Sequence, residues 1–175
     1  MKSKIISFII GGMIGFCLWS IQVQAWAQPL GYKEMSQVEV DDPESYMEEN
    51  LIDIPSEVEE TCEKYGDEYN ICPEILEAIC WRESRCTAKA KNGSCKGVMQ
   101  VNENVHQERM KKLGVKDIYD LDGNIHTATD LLSDLYKDKK SISKALDAYN
   151  GNKGNTAYVS DILRTAAALD RIGGD

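Results

Sequence analysis

From residue 55 onward, apolar residues recur at helical spacing rather than in alternation. Ile75, Leu76, Ile79 and Cys80 form a stripe on a helix opening at Cys72-Pro73, with proline in the first helical position. From Asn124 to Tyr136, Ile125, Ala128, Leu132 and Leu135 mark a second helix. Tyr158, Val159, Ile162, Leu163, Ala166 and Leu169 mark the last. Shorter helices are predicted at 103–112 and from a Ser141 cap to near Tyr149, with Gly151 and Gly154 bounding the turn that follows. The capping-box pattern Ser56-Glu57-Val58-Glu59 predicts a helix to Tyr65, stopped by Gly66. Cys86 to Lys96 reads as a loop. No segment alternates like a strand over enough residues, so the expected class is mainly α.

The first residues have another character. Lys2 and Lys4 precede an apolar run from Ile5 to Trp19, the length of a signal core and short for a membrane span. Val23-Gln24-Ala25 and Ala25-Trp26-Ala27 offer small residues at cleavage spacing. Residues 1–27 therefore read as a signal peptide or N-terminal membrane anchor, and the protein as exported: extracellular, periplasmic or associated with the cell wall. Residues 28–54 carry Glu39, Asp41, Asp42, Glu44, Glu48 and Glu49 without periodicity. They read as a flexible acidic linker, with one globular domain over 55–175.

Net charge is −9, which argues against nucleic acid as a partner, because phosphate binding needs clustered Lys and Arg. Cysteines fit export. Cys17 belongs to the signal, leaving Cys62, Cys72, Cys80, Cys86 and Cys95, an odd number. Cys86 and Cys95 flank a polar loop and are the expected disulfide, worth about 2–3 kcal/mol by loop entropy. Cys62 with Cys72 or Cys80 is a second choice. No metal site is expected. Cys86 and Cys95 lack a nearby histidine, and the Asp120-x-Asp122-Gly123-Asn124 run meets Leu131 where a calcium loop needs its final acid. His106 and His126 are isolated and expected on solvated surface.

One residue breaks the helical pattern. Leu76, Ile79 and Glu83 stand at i, i+3 and i+7, so Glu83 continues an apolar stripe at the C-terminal end of its helix. Burial and the helix dipole both disfavour a carboxylate there and favour the acid. Position alone leaves two readings: a raised-pKa acid, or a surface residue paired with Arg82 or Arg85.

Four ordered blocks decide between them. Ile79-Cys80-Trp81-Arg82-Glu83-Ser84, Gly97-Val98-Met99-Gln100-Val101, Asp120-Leu121-Asp122-Gly123-Asn124-Ile125 and Ala145-Leu146-Asp147-Ala148-Tyr149-Asn150-Gly151 together resemble the soluble lytic transglycosylase family, over about residues 62–165. The resemblance implies a lysozyme-like domain of the goose type. It implies Glu83 as the catalytic residue. It implies Ser84, Gln100 and Asn150 near the sugar, Met99 as an apolar cleft wall, and Tyr149 aiming its hydroxyl at Glu83 or the substrate. Met99 and Ile125 also suit the core, Asn124 a helix cap, and Ser84 a bond back to its own helix. Departures occur where Leu121 replaces proline, Ala128 a common glycine, and Gly151-Asn152-Lys153-Gly154 the usual small residues and proline.

Members of that family use one glutamate as acid and then base, closing a 1,6-anhydro ring on muramic acid, where hydrolases usually need two carboxylates. Of the acids in the matching blocks, the resemblance gives only Glu83 a catalytic role. The implied function is a cofactor-independent lytic transglycosylase, acting as a monomer on peptidoglycan glycan strands. The architecture also fits work beside a secretion, conjugation or other envelope-spanning apparatus. The alternatives are a muramidase on the same fold, or a catalytically idle wall-binding protein.

Overall fold

The computed structural model describes residues 28–151 and 154–173. Their helices are α1 Tyr32–Met35, α2 Pro43–Glu49, α3 Ser56–Tyr69, α4 Pro73–Ser84, α5 Glu103–Lys112, α6 Leu121–Lys139, α7 Ile142–Asn150 and α8 Thr156–Gly173. The mainly α class is as expected. The N-terminal signal or anchor lies outside the described residues. Among the described residues no helix is long and apolar enough to cross a membrane.

Helix α4 is the axis of the domain. Ile75, Leu76, Ala78, Ile79 and Cys80 are buried, and the helix packs against α3 on one side and α8 on another. Helix α6 closes the core against α3 and α7 through Ile125, Ala128 and Leu132. Proline opens α4 as its composition predicts. Helix α3 does not stop at Gly66; it runs to Asn70, whose left-handed backbone (φ 54°) ends it. Gly66 serves close approach instead. A Cβ there would stand 2.8 Å from the Ile71 carbonyl oxygen and 2.9 Å from Pro73 Cγ. The capping box is also not formed: Pro55 precedes α3 and no side chain caps it.

Residues 86–102 are not a plain loop. Three two-residue strands, β1 Lys91–Asn92, β2 Cys95–Lys96 and β3 Val101–Asn102, form an antiparallel sheet in that order. Asn92 pairs with Cys95, and Cys95 with Asn102. Strands this short hold too few residues to alternate visibly.

The expected linker is the larger correction. Residues 30–52 pack onto the domain. Leu30 forms a parallel bridge with Ile71, donating to the Asn70 carbonyl at 2.7 Å and accepting from the Cys72 N–H at 3.1 Å. Met35 is fully buried, and Leu30, Tyr32, Val38, Val40 and Ile52 pack against the core. The Glu34 carboxylate accepts from the backbone N–H groups of Ile142 (2.8 Å) and Ser143 (3.1 Å) at the start of α7. Scattered apolar residues suffice to dock a segment whose acids, Glu39 to Glu49, all stay exposed.

Candidate active site

Glu83 lies one residue before the end of α4. The helix ends abruptly because Arg85 and Cys86 both take left-handed backbone (φ 52° and 56°). Neither arginine pairs with Glu83. Arg85 lies over the Trp81 ring at 4.6 Å, and Arg82 pairs with Asp161 at 3.4 Å. The partner of Glu83 is Tyr158 on α8, whose hydroxyl donates to Oε1 at 2.6 Å. Burial raises the Glu83 pKa above the ordinary carboxylate value, while the Tyr158 hydrogen bond and the Arg82 charge only partly oppose it.

Tyr158 was expected only as a core residue of the last helix. It is buried, and burial together with the Glu83 charge pushes its own pKa far up, so it remains a donor. Nothing local distinguishes it from Ile162 on the same stripe. Its role comes from the packing of α8 against α4.

The remaining expected residues divide. Tyr149 is held by its hydroxyl to the Met99 carbonyl at 2.7 Å rather than to Glu83, although the Glu83 charge still acts on it. Met99 is fully buried and so belongs to the core rather than to an open cleft wall. Ser84 donates to the Val98 carbonyl at 2.7 Å and accepts from the Thr87 N–H at 3.0 Å, fastening the end of α4 to the Gly97–Gln100 turn. Gln100 is half-buried in left-handed backbone (φ 50°), and its Nε2 donates to the Gly97 carbonyl at 2.8 Å. Asn150 closes α7 and is half-buried beside the left-handed Gly151.

Asn124 is not a cap. Asp120 caps α6, accepting from the Gly123 N–H at 2.9 Å. Asn124 is fully buried and braces the turn carrying Met99 and Gln100. Its Oδ1 accepts from the Met99 N–H at 2.8 Å, and its Nδ2 donates to the Lys96 (3.0 Å) and Ile118 (2.8 Å) carbonyls. Gly97 (φ +78°) sits so close that a Cβ would collide with that Nδ2.

The expected Cys86–Cys95 disulfide is absent; all five described cysteines are free thiols. The two have different surroundings. Cys86 lies among groups that include Cys62, Glu77 and Asp53, while Cys95, on β2, feels the Glu83 charge. Cys80 and Cys62 are both fully buried. His126 is not on a solvated surface either. It stacks on Tyr65 with ring centroids 4.3 Å apart and meets the Tyr69 hydroxyl at 3.0 Å. His106 is half-buried at a kink in α5.

A half-buried, protonatable carboxyl at a helix end, braced by a tyrosine and tied through Ser84 to the Gly97–Gln100 turn, is a site for acid–base chemistry. The chain matches the family model for the Transglycosylase SLT domain over residues 60–167, more than half its length, and it belongs to that family. Its activity class is that of the lytic transglycosylases, with peptidoglycan as the substrate. It is also similar to the X polypeptide of Escherichia coli (strain K12), at 31% identity over 115 residues that cover 57% of this chain and 68% of that protein.

Proposed function

We propose that the protein cleaves the β-1,4 bond between N-acetylmuramic acid and N-acetylglucosamine, with Glu83 as acid and then base. The observation that carries this reading is the Glu83 carboxyl itself, held above its ordinary pKa by burial with one hydrogen bond, from Tyr158, on Oε1. Oε2 carries the proton. In the first step that proton passes to the glycosidic oxygen as the C1–O bond breaks, and the positive charge at C1 is stabilised by the substrate's own N-acetyl group. In the second step the Glu83 carboxylate takes the proton of the C6 hydroxyl, whose oxygen bonds to C1. The product is 1,6-anhydromuramic acid, and Glu83 is again protonated. An internal nucleophile has a high effective concentration, so no second carboxylate must position a water.

The surrounding acids support ring closure over hydrolysis. Glu103 forms an ion pair with Lys96. Asp147 accepts from the Gly154 N–H at 2.8 Å and the Asn155 N–H at 3.0 Å. Among the described residues, Tyr158 is the hydrogen-bond partner of Glu83 and Arg82 the charge beside it, and neither is a carboxylate. Gln100 and Asn150 contact the sugar, while Ser84, Met99 and Tyr149 act by holding the turn in place. The protein works as a monomer outside the cytoplasm, opening wall locally beside an envelope-spanning apparatus.

Purified peptidoglycan incubated with the wild type and with Glu83→Gln, followed by mass analysis of soluble products, tests the reading. Anhydro-muropeptides from the wild type, with a rate lower by about 10²–10⁴-fold or more in the variant, are expected. Reducing-end products would make it a muramidase, and no products from either protein would end the catalytic reading.

A further inference from the structure

Glu77 lies six residues before Glu83 on α4, about 120° away around the helix axis. It faces a separate cavity of about 560 Å³ bounded by α3, α4, the end of α8 and the chain at 47–54. Asp53, Glu59, Glu63, Glu74, Glu77 and Asp170 line it, and no lysine or arginine does among the described residues. Glu77 is more than nine-tenths buried (7% exposed). No hydrogen-bond donor among the described residues reaches its carboxylate. Burial, with Glu74, Glu59 and Glu63 adding to it, pushes the Glu77 carboxyl up to about 8. Glu74 is raised as well, by burial and by Asp170 and Glu63. Left to itself such an acid keeps its proton; a cation from outside the chain would stabilise its charged form.

The cavity's other surface narrows the choice of cation. Ile52, Ile54, Leu169 and the part-exposed Ile172 give it apolar walls. A divalent ion has no use for such walls, and among the described residues no three acid, histidine or cysteine side chains converge to hold a metal. A long side chain with methylenes and a cationic head matches both surfaces at once. We propose that this cavity is a docking site for a lysine or arginine side chain from a basic segment of a partner protein. Glu77 meets the charge at the floor, Glu74 supports it, and the isoleucines and Leu169 take the stem. The site is independent of Glu83 and its reaction.

The probe is the peptide acetyl-Gly-Lys-Ala-Lys-Gly-amide, titrated into the full-length protein at about 150 mM salt, where diffuse surface attraction is screened. Amide NMR shifts are expected to saturate and to centre on 52–54, 74–77 and 169–173. Affinity is expected to fall about ten-fold or more in Glu74→Gln/Glu77→Gln. It should change less than about two-fold in Glu44→Gln/Glu48→Gln, which removes two acids from exposed positions outside the cavity. The same peptide with norleucine for lysine should leave the spectrum unchanged. Equal losses in both double variants, a response to norleucine, or no saturable shift would overturn the proposal. So would saturable calcium binding at these residues without peptide binding. Glu77→Gln should melt at or above the wild-type temperature, because the amide stays neutral where burial and like charges disfavour a carboxylate; if the double variant fails to fold, Glu74→Gln alone carries the comparison.

Discussion

The Tyr158 hydroxyl and the Glu83 carboxylate are joined at 2.6 Å across 75 residues of sequence. This bond fastens α8 to the end of α4 and sets two influences against each other on one group. Burial favours the acid form of Glu83, and the tyrosine donor favours the carboxylate. Burial wins, yet the donor keeps the carboxylate accessible. A residue that must give a proton in one step and take one in the next needs that balance.

Tyr158→Phe tests it. The ring stays packed and only the donor leaves, so the Glu83 pKa rises further. The first step needs the protonated acid, so the alkaline limb of the activity profile moves to higher pH. The second step needs a carboxylate that is now less well solvated, so the maximal rate falls, by about ten-fold if a hydrogen bond to a charged group is lost. Thermal unfolding should change little. A profile unmoved in pH would remove Tyr158 from control of the acid.

Asn124 makes a prediction of another kind, about the turn opposite Glu83. Asn124→Ala strands the Met99 N–H and the Lys96 and Ile118 carbonyls in the core, at a cost of about 3–5 kcal/mol. Asn124→Asp should rescue little of this, because a carboxylate satisfies the N–H but faces two carbonyl oxygens. Gly97→Ala should be comparably harmful, since φ +78° and the contact with Asn124 Nδ2 both exclude a Cβ. Urea denaturation of the three variants measures the effect. Losses under about 1 kcal/mol for all three would show that water or relaxation replaces this brace.

What the sequence made legible follows from where each signal lives. Helices α4, α6 and α8 each bury one stripe, so periodicity displays them. Glu83 was visible as a charge on such a stripe. Tyr158 was not, because a tyrosine on an apolar face looks like any core residue until another helix crosses it. Gly66 misled for a related reason: its small size serves the approach of Ile71 and Pro73, a tertiary fact that mimics a stop. Asn124 has a cap's composition, but Asp120 starts the helix earlier. The Cys86–Cys95 pairing rested on separation along the chain, which says nothing about the directions the thiols take after two left-handed residues. Residues 28–54 lack period because α1 and α2 are only 4 and 7 residues long, and the rest of this strap docks through individual side chains.

That strap yields a prediction with a definite dependence on pH. Burial pushes the Glu34 pKa up, but hydrogen bonds from the Ser143 hydroxyl, the Ile142 and Ser143 N–H groups and the Ser141 hydroxyl outweigh it and hold the carboxyl below its ordinary value. A group whose folded pKa is depressed adds stability above its unfolded pKa and loses it as pH falls through the folded value. Glu34→Gln keeps one acceptor oxygen but loses the charge that complements the N-terminus of α7. At pH 7 it should cost about 1 kcal/mol, roughly 3 °C in melting temperature. As pH falls through the folded value, wild-type Glu34 becomes protonated and the two proteins should converge. Serine at the α7 cap limits the loss, since Ser141 still accepts from the Lys144 N–H. A difference that is absent at pH 7 would return residues 28–54 to a tether. One that persists unchanged at low pH would assign the cost to packing around Met35 rather than to the Glu34 charge.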